Sequence, residues 1–131
     1  MKRREFLAAV PLLALASGAA RAQAYPRKPI RYIVPVVAGG GSDLIARTVT
    51  ERWGKALGQA FVVDNQGGGG GVIACQNAAG AAPDGYTLLQ GYVATHGTSP
   101  ATRTLPYDAI KDFTPVGMIG GTPNVLVMGL R

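Results

Sequence analysis

The sequence predicts an α/β fold with a mostly parallel sheet flanked by helices, and three observations carry that expectation. Residues Ile30 to Val37 form a run that is apolar at nearly every position after Arg31, the pattern of a strand covered on both faces. A strand, a glycine-rich loop and a helical pattern then follow one another twice, first around Gly39–Gly41 and again around Gly67–Gly71. Between the two loops, Ile45, Val49, Trp53 and Leu57 recur every four residues with Leu44 beside them, as on an amphipathic helix. Two such units in succession imply parallel strands joined by right-handed crossovers.

Residues 1–24 read as an export segment. Lys2, Arg3 and Arg4 form a basic start, Phe6 to Ala16 an apolar core too short to span a bilayer, and Ala22-Gln-Ala24 a small-x-small cleavage site. Arg3-Arg4-Glu-Phe-Leu7 fits a twin-arginine signal and an ordinary Sec signal equally, so the route stays open. No later segment is long and apolar enough to be a transmembrane helix. Tyr25 to Pro29 is an extended entry to the first strand, in which Pro35 marks the end of regular pairing. Ser42 or Gly41 is expected to cap the helix, with Asp43 in its first turn and Gly58 just past its end. Phe61 to Asp64 is the second strand, and Val72 to Ala79 a small-residue helix stopped by Gly80. After the turn Pro83-Asp-Gly85, Tyr86 to Gln90 is the third strand, ending in a small and polar loop from Gly91 to Pro100. Ile110 to Phe113 reads as a short turn or helix, Val116 to Gly120 as a fourth strand, and Val125 to Met128 as a fifth apolar run. That run lies three residues from Arg131, which reads as the end of a truncated lobe.

Composition excludes several functions. The net charge of +6 misleads, since half of it belongs to residues 1–24 and the rest is dispersed without a Lys/Arg cluster. Nucleic-acid binding therefore has no electrostatic footprint. Cys75 is the sole cysteine, so an internal disulfide is excluded, and its small apolar neighbours read as a buried thiol. One histidine and one cysteine far apart do not make a zinc site, and no metal or cofactor is expected.

The glycine loops are the chemical signal. Glycines allow the backbone to approach a ligand, and the first N–H groups of a helix lack intrahelical partners, so the pair makes an anion cradle. The Gly39–Gly41 loop lacks the lysine of a phosphate-binding P-loop, and Leu44 breaks the dinucleotide pattern. A small carboxylate is the better fit. The bland reading of Gly67–Gly71 is a flexible loop, and that of Asp43 a first-turn cap rather than a ligand-facing carboxylate. His96 with Ser42 or Ser99 permits an imagined hydrolase, but no nucleophile elbow is present. Trp53, Tyr86, Tyr107 and Phe113 are core candidates, and Tyr92 is placed to wall a pocket.

Several stretches occurring in order then point to a family. They are Tyr25-Pro-Arg-Lys-Pro-Ile-Arg31, Pro35-Val-Val-Ala-Gly-Gly-Gly-Ser-Asp43, Ala82-Pro-Asp-Gly-Tyr-Thr-Leu-Leu89, Leu105-Pro-Tyr-Asp108, Lys111-Asp-Phe-Thr-Pro115 and Pro123-Asn-Val-Leu-Val127. The set resembles the Bug family of extracytoplasmic solute receptors, the binding component of tripartite tricarboxylate transporters. The resemblance implies a periplasmic-binding-protein-like lobe, here residues 25–131, from a longer two-lobed receptor that is not an enzyme. It implies a small carboxylate ligand and a partnership with the membrane subunits of a secondary transporter. It places the ligand on the first loop, at Val36, Ala38, Gly39, Gly40, Gly41, Ser42 and Asp43, and on the third, at Val93, Ala94, Thr95 and His96. With the second lobe missing, the same resemblance implies weak binding or none.

The chain departs from the family pattern at all three loops. Val36 and Val37 stand where an aromatic residue and often a proline are usual. Gln66 and Gly67 replace an arginine and a proline, and Gly91-Tyr-Val93 replaces Gly-Thr-Ser. A ligand-presenting sensor module and, behind it, a small exported hydrolase are the competing readings.

Overall fold

The computed structural model describes residues 25–121. Strand β1 (Ile30–Val34) leads through the first glycine loop into helix α1 (Gly41–Leu57), and β2 (Phe61–Asn65) follows. A single 3-10 turn over Gly69–Gly71 runs into α2 (Val72–Ala79), which is followed by β3 (Thr87–Leu89). The three strands are parallel in the order β2-β1-β3, so the first strand of the chain is the central one. Tyr32 faces Val63 on one side and Leu88 on the other. β1 stops before Pro35, as the missing amide donor requires. Gly58 closes α1 at φ +66°, the left-handed conformation of a helix C′ residue.

One helix covers each face. Tyr32 and Val34 form a buried cluster with Ala46 of α1, and Val36, Trp53, Phe61, Val63 and Leu88 pack around it. The Trp53 ring stands edge-on to Tyr32 at 5.9 Å. On the opposite face α2 rests against β3 and β1, with Ala74 and Cys75 fully buried. Arg31 and Asp64, near neighbours on that face across β1 and β2, pair at 2.6 Å. The entry segment is strapped to the start of β3: the Tyr25 hydroxyl donates to the Gly85 carbonyl at 2.7 Å, and Lys28 pairs with Asp84 at 3.3 Å over the Tyr86 ring.

Four expectations are corrected. The N-cap of α1 is Gly40, not Gly41 or Ser42, because the helix begins one residue earlier than its polar signal. The buried face of α1 is Asp43, Ala46 and Thr50, while Leu44, Ile45 and Leu57 are exposed. The sheet lies close enough that small side chains face it; Ala46 has no exposed surface. Among the described residues the stretch 116–120 pairs with no strand, and Val116 and Met118 are exposed. The third loop is not irregular throughout: Ala94–Thr98 makes a π-helical turn that passes directly into a four-residue helix α3 (Ser99–Thr102). The stretch 110–113 belongs to a turn in which the Asp108 carboxylate accepts from the amides of Ile110 and Lys111, both at 3.0 Å. The run Val125–Met128 and residues 1–24 lie outside the described residues.

The rotated helix face, which keeps Trp53 on the core but turns Leu44 and Ile45 outward, gives a direct test. Ala46→Leu should destabilise the fold by about 1–3 kcal/mol through overpacking. Leu44→Gln should stay within about 0.5 kcal/mol of the parent, as an exposed helix substitution does. Urea unfolding of both variants decides between the two faces; equal losses would restore the larger apolar stripe as the buried one.

Candidate functional site

All three loops leave the sheet at its carboxyl end, and strand order sets which of them meet. β1 connects to β2 on one side, and the next crossover returns past β1 to β3 on the other. The crevice of a parallel sheet opens where the connections diverge, here between the ends of β1 and β3. The first loop (residues 35–40) and the third (residues 91–98) flank that point. The second (residues 66–71) closes against both at Gly71, which has φ +89°. A Cβ on Gly71 would lie 2.6 Å from the Thr95 Cγ2, 3.1 Å from the Pro35 Cβ and 3.4 Å from the Tyr92 hydroxyl. Sequence reasoning makes this glycine one of a flexible run, whereas it is the point at which three loops touch.

The residues expected to bind a ligand divide into three groups. Ala38, Gly39, Gly40, Gly41 and Val93 are exposed, Val36, Ser42, Ala94 and His96 are half-buried, and Asp43 and Thr95 are buried. The exposed group can face a solute, and the buried pair supports the loops instead. The Asp43 Oδ2 accepts from the Gly39 amide at 2.9 Å and from the Arg47 Nε at 3.0 Å. These two contacts, the guanidinium first, hold its carboxyl below the usual carboxylate range. The first intrahelical donor of α1 is Leu44, whose amide bonds to the Gly40 carbonyl at 3.0 Å. The amides of Gly41, Ser42 and Asp43 therefore have no helical acceptor and form the donor end of the helix.

Thr95 has no exposed surface and ties the third loop together. Its hydroxyl accepts from the Tyr92 amide at 3.2 Å, donates to the Tyr92 carbonyl at 3.0 Å, and lies 2.8 Å from the His96 Nδ1. With that hydroxyl proton committed to Tyr92, His96 is assigned as the Nδ1–H donor. The Tyr107 hydroxyl donates to the Thr95 carbonyl at 2.8 Å from a buried position, and burial pushes its pKa up to about 12. Burial also lowers the pKa of His96, whose ring stands edge-on to Phe113 at 4.9 Å. Neither Ser42 nor Ser99 is hydrogen-bonded to His96 among the described residues, and Ser99 is buried, so the geometry gives no hydrolase dyad. Burial raises the Cys75 pKa, the condition of an unreactive thiol. Among the described residues no cluster of three His, Cys, Asp or Glu side chains could hold a metal ion.

Sequence reasoning missed several supporting residues. Asn65, at the end of β2, donates to the Val36 carbonyl and accepts from the Arg47 Nη2. Gln90, just past β3, donates to the Ser42 carbonyl at 3.4 Å. Gln66, in place of the family's arginine, donates to Asp64 and accepts from Asn77 of α2. Arg103 donates to the Gly69 carbonyl at 3.3 Å. The available signal is positional: a polar residue directly after a strand, or a base four residues after an acid in a first turn.

Known proteins share this arrangement of sequence and fold. Residues 45–130 match the model of a family described as the tripartite tricarboxylate transporter family receptor. A UPF0065 protein of Bordetella bronchiseptica is 46% identical over 129 residues, covering 98% of this chain and 38% of that protein. MatC from Rhodopseudomonas palustris, solved with bound malate, is 42% identical with a TM-score of 0.67, covering 70% of this chain and 32% of that one. A second R. palustris protein, solved with adipate, is 37% identical with a TM-score of 0.67, covering 71% of this chain and 31% of that one. The chain thus spans well under half the length of the proteins it matches.

Proposed function

Because this chain belongs to the tripartite tricarboxylate transporter receptor family, the Bug family of the sequence resemblance, we propose that its converging loops bind a small carboxylate in the periplasm. Residues 1–24 direct export, and residues 25–131 supply part of the first lobe of a two-lobed receptor. The receptor performs no chemistry: it captures a solute and presents it to the membrane subunits of a secondary transporter. Malate and adipate in the related structures support this ligand class. No helix among the described residues is long and apolar enough to cross a membrane.

The observation that carries the site is the meeting of the three loops at Gly71, at the same end of the sheet as the amides that open α1. A carboxylate there accepts from Gly41 and Ser42, with the positive end of a 17-residue helix behind them. Gly40 and Val93 lie on the exposed rim, and Ala94 and His96 form the third-loop side. A helix terminus at an exposed site contributes about 0.3–1 kcal/mol to anion binding. The open cradle should accordingly bind with a Kd of about 1 mM or weaker, which corresponds to roughly −4 kcal/mol.

Titration of the 15N-labelled protein with malate and with adipate tests the assignment. The amide signals of Gly40, Gly41 and Ser42 should move in fast exchange, together with Ala94, while glycerol leaves them in place. Unmoved signals at tens of millimolar carboxylate, or shifts confined to other surfaces, would overturn it.

A further inference from the structure

We propose that Arg47 acts as a built-in counterion, cancelling the charge of Asp43 so that a carboxylate ligand can occupy the same helix terminus. The inference rests on the ligand class and site proposed above, and concerns a residue in the second turn of α1.

The difficulty it resolves is electrostatic. A buried carboxylate stands at the third position of the helix whose first amides are to receive an anion. Its Oδ2 holds the Gly39 amide and so fixes the bend of the first loop, where Gly39 has φ +88°. Its Oδ1 is buried without a hydrogen-bond partner. Alone, this group would place a full negative charge within one turn of the ligand, and like charges in a partly desolvated site oppose each other strongly. Arg47 removes that conflict from the next turn of the same helix, at 3.0 Å from Oδ2. Its placement is itself fixed, since its Nη2 donates to the Asn65 side-chain oxygen while the Asn65 amide holds the Val36 carbonyl. The clamp thus spans the end of β2, the first loop and the first two turns of α1. It positions the loop and leaves the site electrically neutral, with the free amides as the net attraction.

The groups around Asp43 are few. Arg47 faces it from its own helix, the Gly39 amide from the first loop, and the neutral Asn65 side chain lies at the end of β2. Gln90, also neutral, reaches the adjoining Ser42 carbonyl from β3. Asp64 is paired with Arg31 on the other face of the sheet.

The test compares Arg47→Gln and the double variant Asp43→Asn/Arg47→Gln with the parent at pH 7.5, using adipate and the amide shifts of Gly40–Ser42. Arg47→Gln should weaken binding by about tenfold, because the Asp43 charge then stands uncancelled beside the ligand. The double variant, with no charge at either position, should regain most of that loss, the remainder being the clamp's hold on the first loop. Arg47 is half-exposed, so its replacement leaves the core intact, and the remaining amide spectrum verifies this. A variant-to-parent Kd ratio near one for Arg47→Gln, or a double variant as weak as Arg47→Gln, would overturn the counterion role and leave the carboxylate site standing. Failure of the parent itself to bind adipate at these amides would overturn both.

Discussion

Gly71→Ala should be the most damaging single-methyl substitution in the described residues. The left-handed conformation at φ +89° costs an L-residue roughly 1–2 kcal/mol. The added Cβ would meet the Thr95 methyl at 2.6 Å and the Pro35 ring at 3.1 Å, and neither is the end of a flexible side chain. Overpacking of this kind adds about 1–3 kcal/mol. A combined loss of about 2–5 kcal/mol is a large fraction of the stability of an ordinary domain. Gly40→Ala is the matched control: it has φ −86°, and the nearest atom to a Cβ there is the Val37 carbonyl oxygen at 4.0 Å. Urea midpoints should separate the two variants widely at similar m-values. If Gly71→Ala unfolds within about 0.5 kcal/mol of Gly40→Ala, the loops do not depend on close packing at this point.

The second large effect is expected from Thr95→Val. Valine keeps the shape and the methyl that touches Gly71, so no cavity opens. What disappears is the hydroxyl that serves the Tyr92 amide, the Tyr92 carbonyl and His96. Leaving buried polar groups unserved costs about 1–3 kcal/mol. The damage should be local: the amides of Thr95 and His96, both bonded to the Tyr92 carbonyl, should exchange faster, while those of β1 keep their relative protection. Tyr107→Phe removes one bond to the same turn and should lose about 1 kcal/mol. Unchanged exchange at Thr95 and His96 in the valine variant would show that the turn is held by its backbone alone.

The main elements are legible in the sequence wherever local chemistry is sufficient. The apolar run of β1 announces a strand buried on both faces, and Gly58 and Gly80 end their helices where expected. The inner face of α1 is not legible in the same way, because periodicity weights large apolar residues over small ones, whereas Ala46 meets the sheet through lack of bulk. The π-helical turn at Ala94–Thr98 has no local signal, since it is fixed by Tyr107 twelve residues after Thr95 and by Gly71 in another loop. The candidate site shows the same division. Its exposed glycines can be read from composition. The supports at Asn65 and Gln90 depend on strand ends being brought side by side, which only the strand order β2-β1-β3 determines.

That order also has a kinetic meaning. β1 is made first but has no partner of its own until β2 and then β3 exist, for Arg31 must find both Val62 and Thr87. Neither pairing is a hairpin, so each loop must close before any ladder bond rewards it. The nascent chain therefore carries its most apolar strand unpaired until β2 has emerged, and should fold slowly compared with a helical chain of its size.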